Sequence, residues 1–299
     1  MNQLEMAAKI EQGDGFIAAL DQSGGSTPKA LKGYGIEEDA WSNDGEMFDL
    51  IHEMRARIIT SPSFSSGKVI GAILFERTMD GQVDGKSTPK ALIERGIVPF
   101  IKIDRGLEAE ENGVQLMKPI PDLGRLLERA KSLGVFGTKE RSIINSADPV
   151  GIALVVAQQF QVARQVLDAG MMPIIEPEVN IKSADRATSD DLLLAAILEA
   201  LDEIPDGRRV MLKLSIPAKP GLFGPLIGHE KVLRVVALSG GFSREEACRE
   251  LAKNPGMIAS FSRALLSDLR AQQSDEEFDR VLGTAIDEIY QASTAKAPA

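Results

Sequence analysis

Apolar residues along this chain fall into eight short runs, nearly all separated by stretches with helical spacing. The runs are Gly15–Leu20, Val69–Phe75, Val98–Ile103, Gly134–Thr138, Met172–Val179, Val210–Pro217, Val235–Leu238 and Met257–Ser262. Each is too short for a helix of its own and reads as a buried strand. Between them, helical spacing predicts a polar helix at 4–12, one opening at Thr27-Pro28, and Asn43–Ile59 with Met47, Phe48, Ile51, Met54 and Ile58 on one face. Further helices are predicted over Asp122–Leu133, 149–169, Ser189–Leu201, Arg244–Lys253 (capped by Ser243) and 275–291. Strand–helix alternation implies parallel strands. Eight of them in this length fit a closed (β/α)₈ TIM barrel better than an open doubly wound sheet. No Gly-x-Gly-x-x-Gly follows the first strand, which weakens a dinucleotide-binding reading. With no linker or composition break, the expectation is one α/β barrel domain over 1–299. It has a helical extension at 1–12 and a C-terminal helix and tail at 275–299, the Ala/Pro end frayed.

Composition adds mainly exclusions. The chain has 299 residues, 43% hydrophobic and 26% charged, as ordinary globular proteins do. A net charge of −10 without a basic stripe argues against nucleic acid. One cysteine, Cys248, excludes a disulfide framework. No apolar stretch approaches the about 18 residues of a membrane span, and Met1–Lys9 is unlike a secretory signal. The cytoplasm is therefore the expected location. Two histidines, His52 and His229, make a histidine-built zinc site unexpected, and both are expected at the surface. Nothing marks an interface between copies, and a homo-oligomer is compatible with the sequence.

The candidate chemistry lies at the strand ends. Lys213 interrupts the sixth run, on one face with Met211 and Ser215. Burial lowers a lysine's pKa toward the free amine that Schiff-base chemistry needs. The plainer alternatives are a lysine reaching water at a strand end or one paired with a buried carboxylate. Other strand ends carry the same anomaly: Asp21, Glu76, Lys102 with Asp104, Lys139 with Arg141, Glu176 with Glu178, Ser239-Gly240-Gly241, and Ser260 with Arg263. Barrel enzymes keep their active sites at these C-terminal strand ends. Neighbouring lysines there are expected to depress one another's pKa, with carboxylates exchanging protons. Ser239-Gly240-Gly241 and Arg263 suit a phosphate, through backbone N–H groups and a bidentate fork. The hexapeptide Ser-Thr-Pro-Lys-Ala-Leu occurs at 26–31 and 87–92. It reads as shared hydroxyl-cap and proline chemistry, the alternative being a duplicated anion-binding helix start.

These segments resemble the class I (Schiff-base) fructose-bisphosphate aldolases, compact bacterial type. The resemblance runs in order from about residue 13 to 270 through Ala-Leu-Asp21-Gln-Ser-Gly-Gly-Ser26, Ile-Leu-Phe-Glu76, Ile-Lys102-Ile-Asp104-Arg-Gly and Lys139-Glu-Arg141. It continues through Pro-Ile-Ile-Glu176-Pro-Glu178, Leu-Lys213, Leu-Ser239-Gly-Gly-x-Ser-x-Glu-Glu-Ala and Ser260-Phe-Ser-Arg263-Ala-Leu. The resemblance implies an imine at Lys213, acid/base work by Glu176 with Lys139 assisting, and Asp21 at the C4 hydroxyl. It implies that Ser239, Gly240 and Arg263 hold the 1-phosphate, that Lys102 and Ser26 lie toward C4 and the 6-phosphate, and that Arg141, Glu178, Gly241 and Ser260 are further substrate-binding residues. The partner implied is a sugar phosphate, with no cofactor and no metal. Three departures stand out. Ala30 replaces an arginine of the animal enzymes, with Lys29 beside it; Phe261 replaces a tyrosine; and Tyr290 sits in the last predicted helix rather than in a flexible tail. Two other readings share these residues: a different Schiff-base sugar-phosphate aldolase or transaldolase, and an inactive sugar-phosphate-binding barrel. The presence of the lysine, both acids and the phosphate-type residues together argues against the last.

Overall fold

The computed structural model describes residues 1–297; Pro298 and Ala299, the end of the expected tail, lie outside the described residues. Eight parallel strands pair in chain order: β1 Phe16–Leu20, β2 Val69–Leu74, β3 Val98–Lys102, β4 Gly137–Ile144, β5 Met172–Val179, β6 Val210–Ser215, β7 Val232–Leu238 and β8 Ile258–Ala259. The ring closes where the Ala19 N–H of β1 donates to the Phe261 carbonyl just past β8, at 3.0 Å. Helices fill the connections, as alternation requires, and the (β/α)₈ expectation holds.

Strand four differs from its expected position. Val135 and Phe136 are apolar but precede the strand, which begins at Gly137 and carries Lys139, Glu140, Arg141 and Ser142 within it. Gly137 is required there, because a Cβ would fall 2.1 Å from the Met172 carbonyl oxygen. β7 starts earlier than the apolar run suggests, since Arg234 interrupts the pattern while its guanidinium leaves the strand to reach the Glu11 carbonyl. A hairpin at Gln82–Val83 and Lys86–Ser87, a strand Val114–Gln115 antiparallel to the end of β4, and three helices of four or five residues had no periodic signal. Ser243 caps Arg244–Ala252 as expected, in a reciprocal bond with Glu246.

Two apolar layers hold the barrel. Inside it, Ile17, Ile73, Phe100, Ile174, Met211 and Val236 pack together, and Met6 and Ile10 of the helix Gln3–Gln12 join them from below. The N-terminal extension is thus a plug for the N-terminal mouth, fastened by Glu11 to Arg209 at 2.6 Å. Outside, the helix layer packs on the other strand faces. The helix Pro149–Asp168 is apolar and long enough by composition to cross a membrane, but half of it is buried in this layer through Val155, Val156, Phe160 and Ala163. Both histidines are half-buried rather than at the surface. His52 Nε2 lies 2.9 Å from the Gln82 carbonyl, and His229 Nδ1 accepts from the Lys231 N–H.

Candidate active site

At the C-terminal ends of the strands lies a cleft of about 1090 Å³. Its floor is a buried row of alternating charge. Asp21 follows β1, Lys139 stands on β4, Glu176 on β5 and Lys213 on β6. Lys139 Nζ sits 2.7 Å from Asp21 Oδ2 and 2.9 Å from Glu176 Oε2, and Glu176 Oε1 is 2.9 Å from Lys213 Nζ. Every other residue along a strand faces one side, so inward placement of Lys139, Glu176 and Lys213 follows from register alone. All four side chains are at least nine-tenths buried. Desolvating each ion costs several kcal/mol, and the alternation of sign offsets that cost.

Proton affinities follow from this row. Burial pushes the Asp21 carboxyl up, but the Lys139 and Lys213 ammonium groups outweigh it and hold the acid far below its usual range. Glu176 is likewise lowered: burial raises it, and Lys139 and Lys213 more than compensate. At Lys139 burial pulls downward, yet Asp21, Glu176 and Asp104 drive the value up. The expectation that the lysines depress one another therefore fails at Lys139, where carboxylates outnumber cations. It holds at Lys102, lowered by burial and by Lys139 despite Asp104. Lys213 itself meets both the buried and the paired readings of its position.

Around the floor, Lys102 bonds Asp104 Oδ1 at 2.5 Å, and Arg141 pairs with Glu178 at 3.0 Å. Ser26, Ser239, Gly240, Ser260 and Arg263 also line the cleft. Ser26 spends its hydroxyl locally, donating to the Ser23 carbonyl at 2.8 Å. Gly240 and Gly241 have φ of +59° and +109°, so the Ser-Gly-Gly turn needs residues without a Cβ. Gly241 lies just behind the lining, its Cβ position 3.6 Å from an Arg263 Nη atom. Among the described residues Ser260 Oγ is buried with no partner, and Arg263 is exposed with no carboxylate partner. This end is thus cationic and has hydrogen-bonding capacity to spare.

Several expectations are corrected here. Glu76 is outside the cleft; its carboxylate is taken by Arg105 at 2.6 Å and by Arg129, which fixes the loop after β3. Neither serine of the repeated hexapeptide caps its helix, and only the first copy borders the cleft. What the copies share is proline in the first turn and a buried threonine. Lys29, the neighbour of Ala30, does line the cleft; residues missed from sequence include Gln22, Arg105 and Ser262 on its wall. Arg55 was missed as well, although an arginine four residues after Ile51 on an apolar helix face is as anomalous as a lysine in a strand.

The family model for class-I fructose-bisphosphate aldolases matches residues 3–205. The chain belongs to that family. The protein is accordingly an aldolase, a carbon–carbon lyase. The match spans β1 to β5 with Asp21, Lys102, Lys139, Arg141, Glu176 and Glu178; Lys213 and the Ser-Gly-Gly and Arg263 loops follow it. Among solved structures, the aldolase fold is shared with fructose-bisphosphate aldolase of Plasmodium falciparum, crystallised with TRAP and a small-molecule inhibitor. That structure superposes with a TM-score of 0.79 at 21% identity, over 99% of this chain and 95% of that one. A Corynebacterium glutamicum protein has the same fold at a TM-score of 0.59 and 16% identity, over 97% and 92% of the two chains.

Proposed function

We propose that this aldolase cleaves fructose 1,6-bisphosphate reversibly to dihydroxyacetone phosphate and glyceraldehyde 3-phosphate through an imine on Lys213, without a metal. The observation that carries the reading is the buried row Asp21–Lys139–Glu176–Lys213 beneath a cleft whose rim holds Ser239, Ser260 and Arg263. A lysine beside a carboxylate at 2.9 Å can pass it a proton and attack a ketone.

Glu176 takes a proton from the Lys213 ammonium, the free amine adds to C2 and one of its own protons passes to the C2 oxygen. Glu176 then returns its proton to that hydroxyl, which leaves as water. The resulting protonated imine is an electron sink. Asp21 accepts the C4 hydroxyl proton, the C3–C4 bond breaks, and its electron pair enters the imine to give an enamine. Glyceraldehyde 3-phosphate departs. C3 gains a proton from solvent as Asp21 releases the one it accepted, and water hydrolyses the imine to release dihydroxyacetone phosphate and Lys213. Lys139 stays cationic throughout, which keeps Asp21 and Glu176 in the ionised form that a proton acceptor needs and makes each give its proton back easily.

Arg263 and the Ser-Gly-Gly turn suit the 1-phosphate, with Lys102, Ser26 and Lys29 toward the other end. A coupled cleavage assay in EDTA tests the assignment. Full activity on fructose 1,6-bisphosphate is expected. Activity confined to a shorter or different sugar phosphate would favour the transaldolase-type reading.

A further inference from the structure

We propose that Arg55 is a positioning residue that fixes the loop carrying Asp21, and that Gln22 extends its hold across the barrel seam to Ser262, next to Arg263. The proposal rests on the reading of Asp21 as the group that accepts the C4 hydroxyl proton.

Arg55 lies in the helix Asp44–Thr60 and is wholly buried. Its Nη1 donates to Thr78 Oγ1 at 2.7 Å, in the short helix Glu76–Asp80 after β2. Its Nη2 donates to the Gln22 carbonyl at 2.5 Å and lies 3.4 Å from Gln22 Oε1. One guanidinium therefore ties the loop after β2 to the carbonyl of Gln22, the residue that follows Asp21. Stability alone gives no reason for a cation here, since an apolar side chain of similar volume at a buried ionic site is often neutral or better. Burial lowers this guanidinium to about 10, with the Asp21 charge opposing, so it remains a cation at neutral pH and feels that carboxylate.

Gln22 then turns the other way. Its Nε2 donates to Ser262 Oγ at 2.5 Å. This contact crosses from β1 to β8, where strand pairing is thin: β8 is two residues long, and the Ala19 N–H reaches across to the Phe261 carbonyl. Asp21 stands on one side of that seam, Ser260 and Arg263 on the other. The spacing between the proton acceptor and the anion-binding rim is thus set by Thr78, Arg55, Gln22 and Ser262 in series. Misplacing a reacting group by about 1 Å can cost a hundredfold in rate.

The test uses full-length Arg55→Met, Arg55→Lys and Gln22→Met, each checked for folding by circular dichroism and melting. Two readouts are taken: kcat and KM for fructose 1,6-bisphosphate, and borohydride adduct on Lys213 with dihydroxyacetone phosphate, a step that bypasses Asp21. In Arg55→Met, kcat should fall by about 10- to 100-fold with KM nearly unchanged and the adduct formed at the wild-type yield. Arg55→Lys should recover part of kcat. Gln22→Met should raise KM several-fold and lower kcat less. A folded Arg55→Met with kcat within twofold of wild type overturns the proposal, as does equal loss of cleavage and adduct. If Arg55→Met does not fold, wild-type kinetics in Gln22→Met overturn it. Absence of adduct in the wild type instead removes the Schiff-base reading beneath the proposal, before any variant is compared.

Discussion

Replacing Glu140 with methionine should stabilise this protein, by more at pH 8 than at pH 5. Glu140 lies between Lys139 and Arg141 on β4, so alternation turns it outward under the helix layer. It is wholly buried, and among the described residues neither carboxyl oxygen has a hydrogen-bond partner. Burial, then Asp104, with Glu176 adding and Lys139 opposing, pushes its pKa well above 4.5. An unpartnered buried polar group costs about 1–3 kcal/mol, and methionine fills similar volume without that cost. Ionisation adds a second cost. Above pH 4.5 the unfolded chain releases this proton while the folded chain keeps it. The folded state then binds more protons, so stability falls with rising pH by up to about 1.4 kcal/mol per unit until the folded group ionises. Methionine lacks that slope. Urea unfolding of both proteins at pH 5 and pH 8 isolates the term, because every other titrating group cancels in the difference. The variant should be more stable by about 1–3 kcal/mol at pH 5, with a wider gap at pH 8. A variant less stable than wild type, or a gap independent of pH, would refute the reasoning and mean that Glu140 is ionised against Lys139.

Other outcomes follow from the charged row and the rim. Glu176→Gln should keep the fold and lower kcat by about 10²- to 10⁴-fold, the usual worth of a general acid–base group, measured in the coupled assay. Arg263→Gln should raise KM about 10- to 100-fold with kcat little changed, as loss of a charge-assisted bond worth about 1.5–3 kcal/mol requires. Asp21 and Glu176 both have folded pKa values below their ordinary 3.8 and 4.5. Their stabilisation is therefore present above those values and lost as pH falls through them. Wild-type acid unfolding should begin near pH 4–5 and take up protons, and potentiometric titration through the transition checks it.

Some of this was legible in the sequence for one physical reason. A charged residue inside an apolar run, such as Lys213 in Val-Met-Leu-Lys-Leu-Ser, must be paired or functional. The same contrast found Lys102 and Glu176. It failed where polar residues themselves form the strand: Lys139 to Ser142 hide β4, and with it Glu140, because the polarity of the inner face comes from the site. Two-residue strands and four-residue helices carry no period, so the hairpin at 82–87 and the strand Val114–Gln115 escaped, while β8 was legible only because apolar neighbours lengthen its run. Pairing is a tertiary property. Composition could not indicate that Glu76 faces Arg105 and Arg129, or that two carboxylates rather than another lysine govern Lys139.

Borohydride reduction of the protein with fructose 1,6-bisphosphate in EDTA, followed by peptide mapping, tests the central claim most directly. The account predicts one stable adduct, on Lys213, formed without metal. A folded, saturated protein that yields no adduct, or an adduct on Lys139 or Lys102 instead, would contradict it.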